Sequence, residues 1–90
     1  MTHGAPIRRS PDVAFRRLDS GEAVLLHVES GSYHGLNATG ALLWELIDGT
    51  RSRDDVCAEL RNRTTDAPPD VEGVVDGFLE ALRSRNLISA

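Results

Sequence analysis

Three histidines, one cysteine and fourteen carboxylates are the obvious reactive groups in this 90-residue chain, so their spacing decides which chemistry is open to it. Zinc and similar metals are held by Cys and His side chains in closely spaced pairs. His3, His27 and His34 have no partner at helical spacing and form no Cys/His cluster, so no metal site is expected. Cys57 is the sole cysteine, which excludes an internal disulfide, and it falls in an apolar helical pattern as a small buried hydrophobe would. The serines fall in turns, helix caps and the termini rather than in a nucleophile elbow. The glycine spacing matches neither a phosphate loop nor a dinucleotide fingerprint. Asp54 and Asp55 are placed to favour a helix N-terminus. No catalytic constellation is present, and the expectation is a non-enzyme with no cofactor.

Size and charge narrow the field further. Ninety residues make one compact domain. Apolar residues are 40% of the chain and only four are aromatic, enough for one modest core. A domain of this size buries roughly 60% of its unfolded surface, which leaves little room for a deep pocket of buried catalytic groups. The net charge is −4 and all ten basic residues are arginine, spread in pairs along the whole chain as solvated faces. Such an acidic domain is a poor match for a phosphate backbone, so no nucleic-acid partner is expected. The N-terminus has no apolar run of signal-peptide length, and no segment approaches the roughly 20 apolar residues of a membrane span. A soluble, cytoplasmic protein without a membrane partner is the expectation. Residues 1–11, with Gly4, Pro6 and Pro11, read as a disordered tail, leaving 12–90 as the domain.

The elements that would position any site are three strands followed by three helices. Val13–Leu18 is extended and closes on Asp19-Ser20-Gly21, a turn sequence. Ala23–Glu29 follows, with Val24, Leu26 and Val28 on one face. After the turn Glu29-Ser30-Gly31-Ser32, the third strand is Ser32–Leu36. Connections this tight make an antiparallel meander. Asn37 caps a helix expected to reach about Asp48, with Gly49 as its left-handed stop. Its apolar residues, Trp44 among them, cover nearly the whole circumference, so it is buried. Ser52 and Asp55 have the spacing of a capping box opening a second helix to about Arg63, which buries Val56, Cys57 and Leu60. Thr64–Pro69 is a loop, and a third helix runs from about Asp70 to Arg85, after which Leu87 and Ile88 tuck onto the core. Strands grouped before helices indicate an α+β fold.

Two features remain once this core is assigned. The strand Ser32-Tyr33-His34-Gly35-Leu36 lies at the edge of the meander, and an open edge invites an extended peptide to add as a further strand. Gly35 permits close approach of another backbone, and a proline at His34 is expected to remove a donor from that edge. On the third helix, Val71, Val74, Val75, Phe78, Leu79, Ala81 and Leu82 fill an arc of about 160°, wider than one core requires. Its surplus margin, assigned to Val71, Val74 and Phe78, would wall a groove beside the sheet.

Tyr33-His34-Gly35-Leu36-Asn37-Ala38-Thr39-Gly40-Ala41, followed by Leu-Trp-Glu-Leu-Ile-Asp-Gly, resembles the PqqD-like family. Asp55–Leu60, Asp70-Val71, Phe78-Leu79, Leu82 and Asn86-Leu87-Ile88 fit the same pattern, so the resemblance covers roughly residues 13 to 88. It implies a winged-helix-like fold and a precursor-peptide recognition element. The leader of a ribosomally made peptide would lie beside the third strand and against the third helix, contacting Ser32, Tyr33, His34, Gly35, Leu36, Val71, Val74 and Phe78. The Asn-Ala-Thr-Gly-Ala stretch resembles the discrete elements of lasso peptide pathways, whose partners would be a leader peptidase and a cyclase. A PqqD-like chaperone for a radical SAM enzyme is an alternative within the family. His34 departs from the aromatic or aliphatic residue more usual there.

Two rivals come from other classes. A winged-helix DNA-binding regulator would use Arg53, Arg61, Asn62 and Arg63 of the second helix, against the acids Asp54, Asp55 and Glu59 beside them. A small stabilising subunit of an enzyme would use the apolar arc as its interface.

Overall fold

The computed structural model describes residues 6–64 and 69–89. The chain order is β1 (Arg8–Arg9), β2 (Val13–Arg17), β3 (Ala23–His27), β4 (Ser32–Leu36), α1 (Ala38–Leu46), α2 (Arg53–Arg63), α3 (Val71–Ser84) and β5 (Ile88–Ser89). The strands β2, β3 and β4 form the expected antiparallel meander, and three helices follow it in an α+β arrangement.

Turn chemistry sets the register of the sheet. Leu18 donates to the Glu22 carbonyl, Gly21 sits at φ +93° between them, and Phe15 is thereby opposed to Leu25. Ala23 and Leu25 consequently face the helices and are fully buried, while Val24 and Leu26 lie half-buried on the other face and Val28 is exposed. The run Ala23-Val24-Leu25-Leu26 is apolar on both faces, so alternation alone does not select the inner one.

Side-chain oxygens start all three helices. Asn37 accepts from the Gly40 N–H at 2.7 Å, Ser52 and Asp55 form a reciprocal capping box, and Asp70 accepts from Gly73. The first helix stops at Leu46, two residues short of expectation. Asp48 there turns its carboxylate onto the Thr50 amide and hydroxyl and onto Arg51, which holds the chain in a turn before Gly49 and Thr50 lead away. The third helix ends in a Schellman motif. Asn86 adopts φ +60°, Leu87 donates to Leu82 and Asn86 donates to Arg83, and the buried side chains of Leu87 and Leu82 complete the cap.

That reversal carries Ile88–Ser89 back to pair with Arg8–Arg9, which lie within the tail expected over residues 1–11. Ile7 is 4% exposed and donates to Arg51, and Ser10 donates to Leu87. Arg9 crosses the Trp44 ring at 4.9 Å from its centroid and donates to the Trp44 carbonyl at 2.7 Å. One apolar side chain, the Arg9 contacts and a few backbone bonds hold this segment, which is why a charged, proline-flanked stretch gives no sign of it in sequence. Residues 1–5 lie outside the described residues, as do 65–68 of the expected loop.

The core gathers Trp44, Leu25, Leu43, Leu46, Ile47, Leu60, Leu82, Val56 and Val75, drawn from the sheet and all three helices. Cys57 is buried among them, and burial pushes its thiol up from the ordinary range.

Candidate functional site

Among the described residues the outer edge of β4 pairs with no other strand. Which of its backbone groups are free follows from parity. Val28 donates to Asp12 and Leu18 to Glu22, so the even-numbered residues of β3 exchange hydrogen bonds with β2. Ala23, Leu25 and His27 therefore bond to β4, through their partners Leu36, His34 and Ser32. The N–H and C=O groups of Tyr33 and Gly35 point away from the sheet. His34 belongs to the internal ladder, and the edge donor assigned to it from sequence belongs instead to the residues on either side.

Side chains alternate across the same strand. Tyr33 and Gly35 project to the face away from the helices, where Tyr33 is 70% exposed, while Ser32, His34 and Leu36 face inward. Leu36 is 6% exposed and anchors β4 in the core. A Cβ built on Gly35 meets nothing within 4 Å, so the sheet face there is uncovered.

Phe78 of α3, and Arg85 just past its end, approach this strand. Gly40, in the first turn of α1, has Leu36 Cβ and Phe78 Cε1 both 3.3 Å from where its own Cβ would stand. This glycine lets Phe78 close onto the end of β4. Midway along the strand Arg85 approaches His34, and burial followed by the Arg85 charge holds the His34 imidazole below its ordinary pKa. Phe78 opposite Leu36 and Arg85 opposite His34 set helix and strand antiparallel to one another. Val74 is 38% exposed and Phe78 is half-buried against the core, so these two form the accessible apolar margin. Val71 is 3% exposed and packs in the core. It lies about 40° from Val75 on the inner side of the wheel and cannot present a surface to a ligand.

A recess of about 170 Å³ opens where Arg85 and Leu87 meet Ser32, Tyr33 and His34, with His27 and Ser30 behind them. On the opposite face of the sheet, Ala14, Val24, Leu26 and Tyr33 border a shallow apolar hollow. Gly40 and Arg85 also belong to this site and were not expected there from sequence. The glycine at a helix start was a visible signal for the first, but nothing local marked the second.

The arginines of α2 are engaged with acids. Arg53 forks onto Asp76 and also contacts Asp54, Arg61 pairs with Glu72, and Arg63 pairs with Glu59 at 2.9 Å. A phosphate would have to displace those carboxylates, which removes the main support for DNA binding. Among the described residues no His, Cys, Asp and Glu side chains group in threes to hold a metal, and no helix is long and apolar enough to cross a membrane.

An unpaired sheet edge beside an apolar helix margin defines a class of small domains built to accept an extended chain. A family model of coenzyme PQQ synthesis protein D (PqqD) matches residues 22–88, and the chain belongs to that family. Two solved structures share its fold. One, described as TbiB1 in complex with the TbiA(beta) leader peptide, is 29% identical over 92% of this chain and 95% of its own, with a TM-score of 0.79. The other, a lasso peptide synthetase B1 complexed with the leader peptide, is 27% identical over 96% of this chain and 100% of its own, with a TM-score of 0.78. No curated protein matches.

Proposed function

We propose that this chain binds the leader segment of a ribosomally synthesised precursor peptide as an added strand on β4, against α3. It then presents that leader to separate processing enzymes, a leader peptidase and a cyclase, in lasso-type peptide biosynthesis. The observation that carries the reading is the free edge at Tyr33 and Gly35, with Phe78 close to its Leu36 end and Val74 exposed one turn away on the same helix. Both similar structures are described as leader-peptide complexes, which supports the same use of the fold. The chain acts as a non-catalytic, cytoplasmic adaptor: backbone hydrogen bonds from the edge supply affinity, and the side-chain sites of the groove supply selectivity. Ser32 and His34 contribute inward side chains, Tyr33 and Gly35 contribute the backbone, and Leu36 anchors the strand from the core.

The test uses fluorescently labelled leader peptides of the lasso type. Wild-type protein is expected to bind one of them at micromolar concentration or below. A chain that binds no such leader, while folded, would overturn the reading.

A further inference from the structure

We infer that the recess beside His34 takes a carboxylate side chain of the bound strand, held by Arg85 with the imidazoles of His34 and His27 beside it. The inference rests on strand addition at β4 and names what the added strand must carry.

Charge pairing points to Arg85. Acids outnumber bases in this chain, fourteen to ten, and most of the arginines have found one. Arg17 pairs with Glu45, Arg51 with Asp48, Arg53 with Asp54 and Asp76, Arg61 with Glu72, Arg63 with Glu59, and Arg83 with Glu80. Arg9 is spent on Trp44. Arg8, Arg16 and Arg85 have no acidic partner among the described residues, and of these three only Arg85 lines the recess beside β4. The other polar residues of that recess are His27, His34, Ser30, Ser32 and Tyr33, with no carboxylate. Ser30 already contacts His27 Nδ1 at 3.3 Å and donates to Ser32 Oγ at 3.1 Å, so the serine hydroxyls are used internally and the guanidinium is left over. A guanidinium fork beside a partly desolvated cleft is matched by a carboxylate.

Strand geometry fixes where that carboxylate must lie. His27, Ser32 and His34 share the inner face of the sheet, and an added strand places alternate side chains on the same face. A residue opposite His34 falls over the recess, and the residue two away falls beside Leu36 and Phe78. The recognised segment therefore carries Asp or Glu two positions from an apolar residue. Arg85 is also well placed at the negative end of α3, a role that affects stability but cannot alter which peptide is chosen.

The test is selection of a displayed random-peptide library on the immobilised full chain, with each selected peptide re-tested on Gly35→Pro protein to identify strand-type binders. Among these, Asp or Glu is expected to be enriched at one position, two residues from an apolar one. Selection on Arg85→Glu should replace that acid by Lys or Arg, selection on Arg85→Gln should remove the preference, and Arg83→Glu, with the same change in net charge, should retain it. A synthetic peptide of the leading sequence should bind Arg85→Glu about tenfold more weakly than wild type, as expected for a lost charged hydrogen bond. Gly35-dependent binders with no acid preference, or with the same preference on Arg85→Glu, would overturn the carboxylate site and leave strand addition intact. A pool with no Gly35-dependent binders would overturn strand addition and this inference together.

Discussion

Replacing Gly35 by proline removes one backbone donor from the outer edge of β4 without touching the ladder to β3. The residue opposite Gly35 is Val24, which exchanges its hydrogen bonds with β2, so the Gly35 N–H is free before any peptide arrives. Proline is tolerated at such edge positions, and nothing within 4 Å of a Cβ at Gly35 obstructs a larger residue. In the complex, one carbonyl of the added strand would be left without its donor, at a cost of about 1–3 kcal/mol. A central figure of about 2 kcal/mol corresponds to roughly thirtyfold weaker leader binding. Gly35→Ala keeps the donor and is expected to bind within about twofold of wild type. His34→Pro is the opposite case. It breaks the bond to Leu25 inside the sheet and leaves a buried carbonyl unpaired, so it should lower stability by about 1–3 kcal/mol before any effect on binding. Fluorescence anisotropy titrations and thermal melts of the three variants separate the two effects. A folded Gly35→Pro protein that binds leader as wild type does would refute the assignment of the free edge.

Other consequences are as direct. Val74→Asp, at the exposed margin of α3, should change stability by no more than about 0.5 kcal/mol yet weaken leader binding measured by anisotropy. Phe78→Asp should reduce both binding and melting temperature, because Phe78 also packs on the core. Gly40→Ala places a methyl 3.3 Å from Phe78, Leu36 and the capping oxygen of Asn37. The crowding should outweigh the helix preference for alanine and lower stability by about 1 kcal/mol in urea titrations. For His34 the folded pKa is depressed, so the unfolded chain binds the proton more readily. Stability should therefore fall as pH drops through about 6.5, and His34→Gln should flatten that window while leaving the carboxylate-dependent loss below about pH 4.5 in place. The imidazole chemical shifts of His34, followed by NMR against pH, should show a midpoint below the ordinary value.

The helix starts were legible because Asn37, Ser52 and Asp70 carry the oxygens that backbone amides need, a signal contained within four residues. The α3 arc was legible as well, but its division was not. Whether Val71 or Phe78 faces the groove depends on where β4 and α1 sit, and only their contacts separate the two. The buried face of β3 was hidden by a run apolar on both sides, so the turn at Gly21 rather than the pattern selects it. The same register decides that Tyr33 and Gly35, not His34, own the free edge, and backbone parity leaves no trace in residue type. The pairing of Arg8–Arg9 with Ile88–Ser89 joins the two ends of the chain through strands too short to show a period. Gly40 shows the limit most plainly: its place at a helix start was visible, but its reason is a phenyl ring from another helix.

Amide hydrogen exchange, with and without saturating leader, is the most direct measurement. The Tyr33 and Gly35 amides should exchange quickly in the free protein and become protected in the complex, while the His34 amide is protected in both. Saturated binding that leaves Tyr33 and Gly35 exchanging at their free rates would contradict strand addition at this edge.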